Sequence, residues 1–397
     1  MLNIKNICTE IEKWIIDVRR DIHKTPELGL EEFVTKGKII KYLDEIGIDY
    51  EIYDDHTGVT AYIDSGKEKT VAIRADIDAL PITEDLKLSY SSINSGKMHA
   101  CGHDAHAAIL LGTCKILHNL RHELNVNVKF FFQPAEETVG GAQLMIKDGC
   151  MNNPKVDCIF GLHVDPRLDT GLLELKYNTL NASTDTIDIT VTGEKCHAAY
   201  PHLGTDAIVI AANVITSLQT ISSRNVDPLD SVALSLGIIN GGIKENILCD
   251  KVNIRGTLRT LNEDVRCLTK KRIIEIAQLS SKGLGGNACI NIEKGYPVLK
   301  NTNKIIDYVK KNATELFEHD RIIIRENGCL GAEDFSYYLE RCDGAFYHIG
   351  CKNTDKNIGS PLHSSTFNID EDCLKYGVMI HVKNVLSYTN EWGGYYI

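Results

Sequence analysis

No stretch of the 397 residues approaches the roughly 20 consecutive apolar residues that a membrane-crossing helix needs. The opening MLNIKNICTEIEKWIIDVRR lacks the basic, then apolar, then small-residue order of a secretory leader, so no export signal is expected there. Short-period repeats and low-complexity segments are missing too. Positive charge is in deficit: 43 Lys and Arg against 54 Asp and Glu leave a net charge of −11. That argues against nucleic acid or an anionic membrane surface as a partner. Cysteine is plentiful, at 13 residues, but the number is odd and the spacing forms no disulfide framework. The thiols are expected to be reduced and mostly buried, which points to the cytoplasm.

What is present is the composition of an ordinary folded protein, 43% hydrophobic and 24% charged. The length exceeds one typical core, so two domains are expected. Ile11, Trp14, Ile15, Val18 and Ile22 mark one face of an amphipathic helix at the start. From residue 70 to 163 strands and helices alternate: TVAIRAD (70–76), a helix over 104–120, NVKFFFQ (127–133), a helix over 139–150, and VDCIFGLH (156–163). Continuously apolar strands between helices predict an α/β domain with a mostly parallel sheet covered on both faces. Near residue 184 the pattern changes. In DTIDITVTGE, Ile187, Ile189 and Val191 alternate with polar residues, the mark of a half-solvated antiparallel strand. The order that follows, to ACINIEKGYP, is β-α-β-β-α-β, a ferredoxin-like split βαβ unit. An inserted α+β domain is therefore expected over 184–297, with 1–183 and 298–397 forming the first domain. Helix 302–318, strand 320–325, helix 332–341, strand 344–350 and a final helix from about residue 370 complete that domain.

In an open α/β sheet, binding sites form beyond the carboxyl ends of the strands. RADIDA (74–79), MHACGHDAH (98–106), QPAEE (133–137) and GLHV (161–164) fall at or just past such ends, and PLHSSTF (361–367) precedes the last helix. If they converge, Cys101, His103, Glu137, His163 and His363 offer sulfur, nitrogen and oxygen donors to divalent transition metals. Five donors exceed one open tetrahedral site and suit two metals with a shared bridging group. A structural zinc knuckle is the competing reading of MHACGHDAH, but no CxxC pair exists elsewhere to complete it. Glu136 and Glu137 would repel each other if buried without a cation. With one present, Glu137 can ligate while Glu136 acts as general base, carrying a proton from water to the leaving amine. Asp78 is expected to hold a ligating histidine from behind, fixing its tautomer. Asp76 either shares that task or has a structural role, pairing with Arg74 or capping a loop. Asp104 is placed to favour the start of its helix. His106, one turn into the helix, either packs or reaches the metals. In the expected insertion, His197 of KCHAAYPHLGTDAI (195–208) can donate to an oxyanion. Asn246 and Arg259 can clamp a substrate carboxylate, although Arg259 equally suits a solvated strand face.

Taken in order, RRDIHKTPELGLEE, RADIDALPI, MHACGHDAH, FFQPAEE, GLHV, HAAYPHLGTDAI, GGIKEN, GTLRT, GAEDFSYY and LHSSTF resemble the hippurate hydrolase and N-acyl-L-amino-acid amidohydrolase family. These are aminoacylase-like dinuclear metallopeptidases related to the plant auxin-conjugate hydrolases. The resemblance runs from about residue 10 to 388. It implies a zinc-peptidase-like catalytic domain with an inserted lid that commonly mediates dimerisation. It implies hydrolysis of the amide between an acyl group, such as acetyl or benzoyl, and an L-amino acid. Carried over by motif, the metal ligands fall on Cys101, His103, Glu137, His163 and His363, and the base on Glu136. The oxyanion histidine, often supplied by a partner subunit, falls on His197, and the carboxylate clamp on Asn246.

Asp76-Ile77-Asp78 stands where the broader group has H-x-D, a difference that the amidohydrolase subfamily shares. In the lid the chain departs from the pattern with Lys195-Cys196 where small residues precede the histidine and Ile247 where a proline follows Asn246. The cofactor expectation is two divalent ions per subunit, manganese or zinc first, with cobalt or nickel also suiting the donors. The partner expectation is a small N-acyl amino acid and a second copy of the chain. Two rival readings stand beside it. A dipeptidase or aminopeptidase on the same scaffold would need an acidic anchor for the substrate amine. A catalytically silent metal-binding protein would have no use for Glu136.

Overall fold

Apolar runs with no polar face to offer become the middle of a sheet. Thr70–Asp76 and Asn127–Gln133 are buried at every position. They pair in parallel, with Asp76 opposite Gln133. Cys158–Asp169 runs parallel on the other side of Thr70–Asp76, and Asp343–Lys352 runs parallel beyond it. Shorter strands extend both edges. Val59–Ile63 is antiparallel to Asn127–Gln133, and Asp49–Ile52 is antiparallel to Val59–Ile63. Leu173–Leu175 is antiparallel to Asp343–Lys352, and Ile322–Ile324 runs parallel to Leu173–Leu175. The result is an eight-stranded, mixed but mostly parallel sheet with helices, the α/β architecture that the strand–helix alternation implies.

The computed structural model describes residues 3–389. Residues 1–2 and 390–397, which the expected starting helix and first domain include, lie outside the described residues. The chain divides into two compact units. Among the described residues, the first holds the chain up to Asn178, then Asn301–Glu326 and the segment that starts at Tyr337; the second holds Thr179–Lys300 and Asn327–Ser336. The segment 327–336 joins the second unit because Ala182 N–H donates to the carbonyls of Cys329 and Gly331, while Cys329 N–H donates to Leu180.

In the first unit the helix His103–Asn119 is buried along nearly its whole length. It packs against Glu12–His23 and Asp372–Leu386. The close fit needs a bare position on the last helix: a Cβ added at Gly377 would lie 2.6 Å from Ile109 Cδ1. Several elements are shorter than the sequence implies. The starting helix is two pieces, Ile4–Glu10 and Glu12–His23, because Ile11 leaves helical geometry and turns its N–H to Thr9 O. Ile15, Val18 and Ile22 are buried as expected, all on the second piece. The helix expected over 139–150 shrinks to Gly141–Lys147, flanked by left-handed Gly140 and Gly149. That over 332–341 is the single turn Ser336–Leu339.

The second unit is a four-stranded antiparallel sheet in the order Asn287–Lys294, Ser183–Thr192, Lys251–Thr260, Val232–Gly241. The helices Ala207–Leu218 and Glu263–Gly283 lie against it. Ile187, Ile189 and Val191 are the buried half of their alternating strand. They join Ile210, Val214, Val252, Ile254 and Ile273 in a core separate from that of the first unit.

Candidate metal centre

Three neighbouring strands of the first unit deliver the candidate donors, two at their carboxyl ends and one within a longer strand. Asp76 ends Thr70–Asp76, Gln133 ends Asn127–Gln133 and leads to Glu136 and Glu137, and His163 lies within Cys158–Asp169. The segment after Asp76 returns through MHACGHDAH, where the turn at Gly102 fixes the geometry. Gly102 has φ +86°, and a Cβ there would come 2.5 Å from Val164 Cγ2. Only glycine meets both conditions, and it sets Cys101 just before the helix that His103 begins.

The donors converge as follows. Cys101 Sγ is 3.4 Å from His163 Nε2. His103 Nδ1 is 3.1 Å from Asp78 Oδ1, and Asp78 Oδ2 accepts the N–H of Glu137 at 3.0 Å. Glu137 Oε1 is 3.1 Å from His363 Nε2. His363 comes from the loop before the last helix, docked by its own N–H donating to Ala100 O at 2.9 Å. Ligand atoms of Cys101, His103 and His163 lie within 4.8 Å of one another, as do those of Cys101, Glu137 and His363. Cys101 belongs to both trios. A third group of the same tightness joins His103, Glu136 and Glu137.

Hydrogen bonding fixes which ring nitrogen faces inward. The His163 Nδ1 lies 2.7 Å from the Val164 carbonyl, which can only accept, so Nδ1 carries the proton and Nε2 presents a lone pair toward Cys101. Asp78 does the same for His103, whose Nε2 is buried and lacks a hydrogen-bond partner. This arrangement, Nδ1 held from behind and Nε2 turned toward the other donors, is that of metal-ligating histidines, with Asp76 Oδ2 3.7 Å from His103 Nε2. Charge agrees with it. Burial opposes a proton on His103, yet Asp76 and the Asp78 hydrogen bond outweigh burial and lift its pKa well above the ordinary value. The pocket thus favours positive charge at His103 Nε2. At His163, burial and then the neighbouring His106 push the pKa well down, leaving that ring neutral.

The residues left open by the sequence find definite places. His106 is buried, not on a helix surface. Its Nδ1 is 2.6 Å from Asp76 Oδ1, and its Nε2 accepts the Val164 N–H at 2.9 Å. Both ring nitrogens are engaged by protein. Asp76 also accepts from Arg74 at 2.7 Å, so the pairing with Arg74 and the link to the histidines both exist. Asp104 sits in the first helical turn, as expected, but its carboxylate is buried against Arg19 at 2.7 Å and His23 at 2.8 Å. No motif or spacing signals the Arg19–Asp104 pair, whose members stand 85 residues apart.

The remaining three candidates lie on the second unit. His197 is exposed, its Nδ1 accepting the Ala199 N–H. Ala198 N–H donates to Asn246 O at 3.1 Å, so the two loops carrying His197 and Asn246 are bridged. Asn246 is exposed, and Arg259 is half-buried on Lys251–Thr260.

Comparison with known proteins identifies the family. The chain matches the profile of Peptidase family M20/M25/M40 over residues 72–387. It is 39% identical over 373 residues to an N-acetyl-L-cysteine deacetylase of Bacillus subtilis, covering 94% of this chain and 87% of that protein. It is 36% identical over 386 residues to an IAA-amino acid hydrolase (ILR1-like 2) of Arabidopsis thaliana, covering 96% and 87%. Among solved structures it is similar to a dinuclear metal-binding M20 peptidase of Bacillus subtilis, with TM-score 0.84 and 30% identity over 95% of this chain and 98% of that one. A family match across most of the sequence, with relatives this similar along nearly its full length, shows that this chain is a hydrolase belonging to peptidase family M20/M25/M40.

Proposed function

We propose that the chain hydrolyses the amide bond of N-acyl-L-amino acids, with two divalent metal ions held by Cys101, His103, Glu137, His163 and His363. The observation that carries this is the pair of donor trios sharing Cys101, with the Nε2 atoms of His103 and His163 turned inward by their Nδ1 partners. The named activities of the deacetylase and the IAA-amino acid hydrolase support the same reaction class. Manganese or zinc suits the mixed donors best, and cobalt and nickel also fit. Bound there, the ions would polarise the scissile carbonyl and acidify water.

The chain's own residues do the rest. Glu136, buried beside His103 and Glu137, takes the proton of the attacking water and returns it to the departing amine. Asp78 keeps the His103 ring in one tautomer and pins the Glu137 backbone. His197 is assigned the donor to the developing oxyanion. Asn246, with Arg259, is assigned the grip on the substrate's free carboxylate. The free thiols of the chain suit a reducing compartment such as the cytoplasm.

The second unit is assigned the role of lid and homodimer contact. Its strand Val232–Gly241 pairs on one side only among the described residues and, over ten residues, carries no charge. Such an edge invites a second copy. Ile238, Ile239 and Ile243 are exposed on or beside it.

A hydrolysis screen of N-acetyl and N-benzoyl L-amino acids with added manganese, zinc, cobalt or nickel tests the reading. Turnover of free dipeptides alone would replace it with the peptidase alternative. Glu136→Gln should keep its metal and lose about 10²–10⁴-fold in kcat. Wild-type rates from that variant would remove Glu136 as the base.

A further inference from the structure

The motif RRDIHKTPELGLEE belongs to no ligand, base or clamp, yet its last residue reaches into the centre. Glu32 is fully buried. It stands at the N-cap of the helix Phe33–Ile46, where a carboxylate would normally accept from its own helix. It makes no such bond. Glu27 takes that role instead, accepting the N–H groups of Val34 and Thr35. The Glu32 carboxylate points away, accepting the Ala135 N–H at 2.9 Å and the Thr57 hydroxyl.

Ala135 is the residue before Glu136, and it is unusual. Its φ is +55°, the left-handed region that a residue with a Cβ avoids, and it is completely buried. A buried N–H in that conformation needs an acceptor. The turn is held at successive backbone atoms. The Gln133 amide donates to Pro134 O at 3.2 Å, Glu32 accepts from Ala135, and Asp78 accepts from Glu137. The motif also packs on the turn directly: a Cβ at Gly29 would meet Thr138 Oγ1 at 2.5 Å and Ala135 Cα at 3.0 Å. Two adjacent carboxylates with different tasks must diverge from one turn, and the backbone at Ala135 sets the direction of Glu136.

We propose that Glu32 is a positioning residue for the reaction: by accepting the Ala135 N–H, it holds the left-handed turn that aims the Glu136 carboxylate. This rests on the assignment of Glu136 as the base. Gln at position 32 keeps an oxygen for the Ala135 N–H, and the Thr57 hydroxyl can rotate to accept from the new amide. Asp keeps the carboxyl group but falls one carbon short. A structural role in the helix cap would not distinguish kcat from KM or from metal content.

The test compares the wild type with Glu136→Gln, Glu32→Gln, Glu32→Asp and Glu32→Ala on the N-acyl amino acid turned over fastest in the screen above. It measures kcat, KM, metal bound per chain and Tm. The expected result is kcat lowered at least about tenfold in Glu32→Asp and Glu32→Ala, consistent with misdirecting a base worth 10²–10⁴-fold. KM and metal content should stay within about twofold, and Glu32→Gln should recover most of kcat. Should Glu32→Ala fail to fold, the ranking of Gln above Asp decides. Wild-type kcat in Glu32→Asp and Glu32→Ala beside a silent Glu136→Gln overturns the role of Glu32 and leaves the base intact. Equal loss of kcat, metal and Tm in all Glu32 variants also overturns it, in favour of a purely structural role. An active Glu136→Gln, or no wild-type turnover of any N-acyl amino acid, overturns both assignments.

Discussion

The two units present most of their candidate chemistry in opposite ways, His363, exposed on the first unit, being the exception. In the first, Asp76, Asp78, His103 and His106 are buried and bonded to one another and to the backbone. In the second, His197 and Asn246 are exposed on paired loops. Burial explains the difference. A charged or polar group taken from water must find its partners inside, so the buried set is fixed before substrate arrives. The exposed set meets no such demand, and changes there alter recognition at little cost to stability. The lid departures fall accordingly, Lys195, Cys196 and Ile247 all lying on the exposed loops, whereas the difference from the broader group at Asp76 lies in the buried set.

The strongest way to break the buried side is to remove a charge from it. Arg19→Met leaves Asp104 buried with only His23 as a charged partner. Losing one member of such a pair costs about 3–5 kcal/mol. Urea unfolding measures it, and a loss below about 1 kcal/mol would show that His23 suffices. The exposed side should respond in reverse. His197→Ala is expected to lower kcat by about 10²–10³, with unfolding free energy changed by less than about 0.5 kcal/mol. A variant that unfolds more easily but turns over normally would show that His197 serves its loop, not the reaction.

A smaller effect comes from pH. His381 is buried with its Nδ1 3.0 Å from the Tyr347 hydroxyl, and burial pushes its pKa down to about 3. The unfolded chain, with an ordinary histidine value near 6.5, binds the extra proton. The neutral ring therefore adds nothing pH-dependent above about pH 6.5, and stability is lost as pH falls from there toward about 3, by up to about 1.4 kcal/mol per pH unit. His381→Gln should flatten the fall of stability between pH 6.5 and 4.5. An unchanged slope would mean that the ring takes up its proton while folded.

The candidate ligand residues are legible in the sequence because donor-rich residue types, closely spaced at strand ends, seldom serve packing alone. Cys101, His103, Glu137, His163 and His363 each sat in a short motif, and the structure brings them together. What holds them was not legible. Glu32 reaches Ala135 across 103 residues, and Arg19 reaches Asp104 across 85. Motif spacing does not show toward which distant backbone a carboxylate turns. The sequence leaves His106 open for a similar reason: helical spacing places it near His103, but only the neighbouring strands supply Asp76 and the Val164 N–H that engage both its nitrogens. Short strands such as Leu173–Leu175 and Leu299–Asn301 leave no signal in the sequence because three residues carry no period.

The least costly change separates assembly from folding. The two edges of the second unit's sheet differ in kind. Asn287–Lys294 ends in Glu293 and Lys294, charges that discourage pairing with another strand. Val232–Gly241 has none, and Ile238 and Ile239 are about half exposed. Ile238→Lys would put a charge on the bare edge without removing a core side chain. The monomer should change stability by less than about 0.5 kcal/mol, because an exposed position has little packing to lose. Sedimentation should shift from dimer to monomer. Because the family resemblance implies that His197 can come from a partner subunit, dimer loss offers a further readout. If turnover falls together with the dimer and returns at high protein concentration, His197 acts across the interface. If the monomer keeps full activity, the contact on this edge is separate from the reaction, and His197 works within its own chain.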